Sequence, residues 1–227
     1  MIACLYDVHG NLPALEAVLA DARAQAAQRY VLGGDYALFG GWPRETLELL
    51  RTLHPALWIR GNGERWTAEP GDEVPLPGAV DACRAALGDA LVEELGALPE
   101  RGHHADTLIV HGSPVSDVRS FLPQPAPDEA ELLAGVSEPR LLFGHTHLPF
   151  RRISAHGGIE LVNPGSVGMP FDGDPRAAYA LIHPDRRVEH RRVAYDHGAS
   201  AARVREAFEG EWTEVIARRI ETAGLAG

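Results

Sequence analysis

The chain has 227 residues, 45% of them hydrophobic and 23% charged, which suits one domain with a full core. Its formal charge of -11 excludes extensive nonspecific nucleic-acid binding, which needs a basic surface. Two cysteines are too few for a disulfide framework and no apolar run reaches membrane-spanning length, so a cytoplasmic protein without membrane attachment is expected.

In chain order, Ile2 to Tyr6 reads as a buried strand and residues 12–27 as a helix with Leu15, Val18 and Leu19 on one face. Asn11 is its expected N-cap, with Pro13 in the first turn. Strands at 30–32 and 57–59 bracket a helix at 43–53, and such strand–helix–strand units imply parallel pairing. Residues 69–78 read as a loop and 79–95 as a helix. Shorter strands follow at 108–110, 141–143, 150–154, 159–162, 178–182 and 188–193, with hairpin turns at Gly157-Gly158 and Asp185-Arg186. Residues 199–223 read as one or two amphipathic helices. The expected fold is α/β: a single domain over 1–227, a four-layer α/β/β/α sandwich of two mixed sheets, with a helical C-terminal tail packed on it.

Five segments deliver Asp, Asn or His where a strand gives way to a loop: Asp7-Val8-His9-Gly10-Asn11, Gly34-Asp35, Gly61-Asn62, His111-Gly112 and Gly144-His145-Thr146-His147. Taken singly, Asp7, Asp35 and Asn62 read as caps or turn residues. The histidine pair after an apolar strand, and His111 after another, read as metal ligands. Mixed nitrogen and oxygen donors suit manganese, iron or zinc better than magnesium or calcium. Seven such donors are enough for two cations.

In order and spacing these segments resemble the calcineurin-like metallophosphoesterases, in particular their small bacterial phosphodiesterase branch. Residues 162–168 (Val-Asn-Pro-Gly-Ser-Val-Gly) and 172–177 extend the resemblance to about residue 195. It implies one metal on Asp7, His9, Asp35 and His147, and a second on Asp35, Asn62, His111 and His145, with Asp35 bridging. It further implies that Asp35, Asn62 and His111 serve catalysis, and that a metal-bridging hydroxide attacks phosphorus in a small phosphoester. Manganese is the expected metal in vitro. Asn11, Arg60 and Arg65 are candidate phosphate contacts; the plain readings are a helix cap and two surface arginines. Many relatives carry His after the Asn of the third motif, as proton donor to the leaving group. Here the segment is Gly61-Asn62-Gly63-Glu64, and position 63 has no side chain. Acidic leaving groups, or a substitute donor among Glu64, His54, His103 and His104, are then expected. For Glu64 an ion pair with Arg60 or Arg65 is the simpler expectation. Met169-Pro170-Phe171 is less polar than the resemblance implies. The alternative function is a catalytically weak metal-binding interaction scaffold. A homo-oligomer through the tail and Trp42, Trp66 and Trp212 is left open against simple core packing.

Overall fold

Strand β1 (Ile2–Leu5) places Ala3 and Leu5 in one apolar cluster, and Cys4, with Tyr6 just beyond the strand, in another. A strand apolar on both faces belongs at the centre of a covered sheet. β1 accordingly pairs in parallel with β2 (Arg29–Leu32) and antiparallel with β9 (Ala177–Ile182). β3 (Ala56–Trp58) and β10 (Val188–Val193) complete this first sheet, in the order β10-β9-β1-β2-β3. The second sheet runs β4 (Arg101–His104), β5 (Thr107–Val110), β6 (Arg140–Leu142), β8 (Glu160–Asn163) and β7 (Phe150–Ile153). The computed structural model describes residues 1–71 and 74–225. Residues 72 and 73 of the expected loop, and 226 and 227 of the expected domain, lie outside the described residues.

The sheets pack face to face through Cys4, Tyr6, Val31 and Ile59 from one and Ile109, Leu142 and Val162 from the other. Over the first sheet lie α1 (Leu12–Ala24), α2 (Pro43–Arg51), α3 (Asn62–Ala68), α4 (Pro77–Leu87), α5 (Asp89–Gly96), α7 (His197–Ala207) and α8 (Trp212–Thr222). The fourth layer is thin. The short α6 (Glu129–Leu132) and Phe121 from an irregular segment cover Leu108, Val110, Leu141 and Phe143. Trp66 and Trp212 are buried in the helical core, and Trp42 lies beneath the Arg203 guanidinium. Among the described residues no helix is long and apolar enough to cross a membrane.

Four departures from expectation have local causes. The helix expected over 79–95 is broken by Gly88, whose φ of +78° ends α4 and precedes α5. α1 stops at Ala24, and Ala26 turns left-handed at φ +59°. Residues 101–104, without one large apolar side chain, still form a strand because β5 offers them an open edge. α3 starts on Asn62, where Gly61 is the N-cap and Glu64 reaches back to its N–H. Both expected hairpin turns form, with Gly157, Gly158 and Arg186 at positive φ.

Candidate metal centre

The five segments follow β1, β2, β3, β5 and β6, so the centre lies at the carboxyl ends of parallel strands from both sheets. Two residues apart, Asp7 and His9 turn their side chains to the same place. The structure shows how. Asp7, His9, Asp35, His145 and His147 all adopt left-handed backbone, with φ of +54°, +50°, +57°, +67° and +58°. Asp, Asn and His tolerate this region better than most residues, and clusters of it mark functional sites. Loop-to-loop bonds hold these turns: His9 N–H donates to Asp35 O at 2.8 Å, and Gly144 N–H to His111 O at 2.7 Å.

The imidazoles are oriented from behind. Nδ1 of His9 lies 3.0 Å from Leu38 O, Nδ1 of His111 lies 2.8 Å from Gly33 O, and Nδ1 of His147 meets Met169 O. A carbonyl only accepts, so each Nδ1 carries a proton, and a ring in its neutral form then presents a bare Nε2. The Nε2 atoms of His9 and His147 stand 3.1 Å apart. Two facing lone pairs repel unless a cation lies between them, and ligands at about 2.0–2.1 Å from one cation are spaced about this far apart. The buried Asp7 Oδ1 has no hydrogen-bond partner and sits 3.4 Å from His147 Nε2. Asp35 turns Oδ2 toward His9 Nε2 (3.7 Å) and Oδ1 toward His111 Nε2 (3.5 Å). Asn62 Oδ1 is 2.9 Å from His111 Nε2 and 2.8 Å from His145 Nδ1. Rotating that amide would let its NH2 donate to both rings, whereas a cation requires the oxygen-inward orientation. Asp7 Oδ1 also lies 3.8 Å from His111 Nε2, which makes Asp7 as central as Asp35. The donor set fits divalent cations.

Burial dominates the electrostatics. It pushes the His9 pKa down to about 3 and that of His145 to about 4, so both rings are neutral near pH 7, the form that can bind a cation. Asp35 is raised to about 7, first by burial, against the pull of His111. The His111 pKa is raised: burial lowers it, but Asp35, Asp7, the Gly33 carbonyl and Glu64 together outweigh burial. Burial would also raise Asp7, yet His147, His111 and His9 hold it below the usual carboxylate range.

Residues 1–187 match the calcineurin-like phosphoesterase superfamily domain. The chain belongs to this superfamily, a family of hydrolases. It is 31% identical to a metallophosphoesterase from Sphaerobacter thermophilus of known structure, with a TM-score of 0.83 and 98% of each chain covered. It is 30% identical to MJ0912 of Methanocaldococcus jannaschii, over 86% of this chain and 88% of that protein. To phosphodiesterase YfcE of Escherichia coli K12 it is 28% identical, over 79% and 85% of the respective lengths.

In this calcineurin-like chain the other expected residues divide. Asn11 is buried and its amide is fully committed: Oδ1 accepts from Ala14 N–H and Ser200 Oγ, and Nδ2 donates to Gly168 O and Tyr195 Oη. It is a helix cap tying the C-terminal helices to the site, with no group left over for a phosphate. Arg60 pairs with Glu100 at 2.6 Å, and Arg65 holds Asp117 through two bonds of 2.6 and 3.0 Å. Glu64 pairs with neither arginine. It is buried, and its carboxylate accepts the N–H groups of Asp35, Tyr36 and Gly61. His54, ahead of β3, and His103 and His104, beside the start of β5, lie at the end of the sheets away from the ligands. Strand length separates them from the chemistry.

Several supporting residues carried no assigned role in the sequence. Ser166 Oγ donates to Asp7 O, and Asn163 Nδ2 donates to Gly144 O and Thr146 Oγ1. The apolar Met169-Pro170-Phe171 segment supplies the carbonyl behind His147, and Phe171 stacks on that ring at 4.3 Å. Its backbone and one aromatic face do the positioning, so polar side chains are not needed there. For Glu64 a signal did exist: an acid three residues after an N-cap is half of a capping box.

Proposed function

We propose that this single-domain chain is a dinuclear metal-dependent phosphodiesterase acting on a small phosphoester. One cation is held by Asp7, His9, Asp35 and His147, the other by Asp35, Asn62, His111 and His145. The observation that carries this reading is the convergence of two imidazole nitrogens, His9 Nε2 on His147 Nε2 at 3.1 Å, beside a carboxylate facing both halves. When bound, the two divalent ions (manganese, iron or zinc) would activate water for in-line attack on phosphorus and neutralise the phosphoryl oxygens. The protein's part is to hold His9, His111 and His147 rigidly from behind and to keep His9 and His145 neutral.

Position 63 offers no proton to a leaving group, and general-acid help is typically worth about 10²–10⁴-fold. Diesters with acidic leaving groups suit such a site, and the resemblance to a protein named phosphodiesterase points the same way. The test is hydrolysis of bis(p-nitrophenyl) phosphate with Mn²⁺, beside p-nitrophenyl phosphate, with metal content measured on the same sample. Turnover of the diester in preference to the monoester is expected. A protein carrying two metals with no turnover above background would instead be the interaction scaffold, the reading that bare position 63 favours.

A further inference from the structure

A cavity of about 320 Å³ opens beside the metal centre, with His111 in its wall. That volume is at the lower end for small-ligand sites, about 300–1,000 Å³. Among the described residues, Arg60, Arg65 and Arg101 line it together with Glu100 and Asp117. Arg60 is paired with Glu100 and anchored on Gly96 O, and Arg65 is paired with Asp117. Arg101 donates only to Pro114 O and pairs with no carboxylate among the described residues. Its backbone lies opposite Val110, one residue before His111. In a chain of net charge -11, a guanidinium without a carboxylate among the described residues, in the wall of a small cavity beside the candidate metal centre, is placed to meet an anion.

We infer that this cavity is an anion subsite, and that the substrate is a small phosphodiester bearing a second phosphoryl group, which Arg101 and Arg60 bind while the diester lies on the metals. The inference rests on the phosphodiesterase reading and adds its substrate class. Guanidinium groups already oriented by neighbouring carbonyls and carboxylates meet a phosphate with little further ordering. Ser113 and Ser116 add hydroxyls to the same wall. The restricted volume selects a small molecule over a polymer strand.

The test uses the manganese-loaded protein and the p-nitrophenyl ester of thymidine 5′-phosphate, with and without a 3′-phosphate. The 3′-phosphorylated ester should show kcat/KM higher by about tenfold or more, and added salt should shrink the ratio. Arg101→Met and Arg60→Met should each bring that ratio to within about threefold of unity. Arg101 is exposed and makes one hydrogen bond, so its replacement leaves the fold intact. Calorimetry with thymidine 3′,5′-bisphosphate and thymidine 5′-phosphate should give the same preference as a ratio of Kd values. A wild-type ratio near unity in both assays, or a ratio untouched by Arg101→Met, overturns the subsite. If neither ester turns over yet the bisphosphate binds about tenfold tighter through Arg101, the phosphodiesterase reading fails while the subsite stands.

Discussion

Glu64 accepts the backbone N–H of Asp35 at 2.7 Å, and so fixes the central carboxylate of the site through its main chain. The same carboxylate takes Tyr36 N–H and Gly61 N–H, both at 2.8 Å, and thereby joins the loops after β2 and β3. Asp35 is left-handed there, and these bonds help to keep it so. A glutamine would present one accepting oxygen and an NH2 that cannot accept, leaving at least one buried N–H unpaired at about 1–3 kcal/mol. Glu64→Gln should therefore weaken metal binding by about 10–100-fold, the range found for groups that orient ligands from behind. Calorimetric titration with Mn²⁺ reads the affinity, and circular dichroism shows whether the fold survives. A folded Glu64→Gln protein that binds Mn²⁺ like the wild type would refute the clamp.

The shared carboxylate separates two kinds of variant. Asp35 reaches toward His9 and His111 at once, whereas the ring nitrogen of His145 meets Asn62 in one half. Asp35→Asn should depress occupancy at both positions, and His145→Ala at one. Metal-to-protein ratios by elemental analysis, at equal total metal, distinguish these outcomes. Equal losses in the two variants would count against a bridging Asp35.

Metal affinity should depend on pH, with a sign that follows from Asp35. Its pKa in the metal-free fold is about 7, above the ordinary 3.8, so below about 7 a cation must displace a proton. Affinity should climb about tenfold per pH unit on the acid side and flatten above. The raised His111 adds to the slope, since its ring must also shed a proton to bind metal. His9 and His145, held near 3 and 4, are already neutral and contribute none. In the metal-free protein the same Asp35 shift stabilises the fold below 3.8, and that contribution is lost as pH rises through about 7. Mn²⁺ titrations on either side of that value read the slope. A flat profile would mean that Asp35 is ionised without metal.

The sandwich was legible because its central strands are apolar on both faces. Ile2 to Tyr6, Thr107 to Val110 and Leu141 to Phe143 have little else to become. The candidate ligands stood out because polar residues at the ends of such strands have no packing role. What stayed hidden depends on partners distant in sequence. Strand β4 is Arg-Gly-His-His and exists because β5 leaves an edge beside it. Glu64 lies between two arginines in sequence, so an ion pair was the natural expectation. Only the folded loops show that three backbone donors outcompete both arginines for it. Asn11 likewise shows its commitments only once residues 168, 195 and 200 arrive beside it.

Position 63 is crowded here. A Cβ on Gly63 would stand 2.9 Å from Asp35 Oδ1 and 3.1 Å from its Cγ. Asp35 has little room to yield: its N–H is on Glu64, and Oδ1 accepts the Gly63 N–H at 2.6 Å. Alanine inside a helix gains about 1 kcal/mol over glycine, whereas overpacking a tight site costs about 1–3 kcal/mol. The second term should win. Gly63→Ala is expected to lose Mn²⁺ affinity and diester turnover together while its helical content persists. Gly63→His, which brings back the imidazole seen in many relatives, carries the same Cβ and should fail to raise turnover of esters with poor leaving groups. A Gly63→His protein faster than wild type on such esters would show that Asp35 can shift, and that the missing acid alone limits this enzyme.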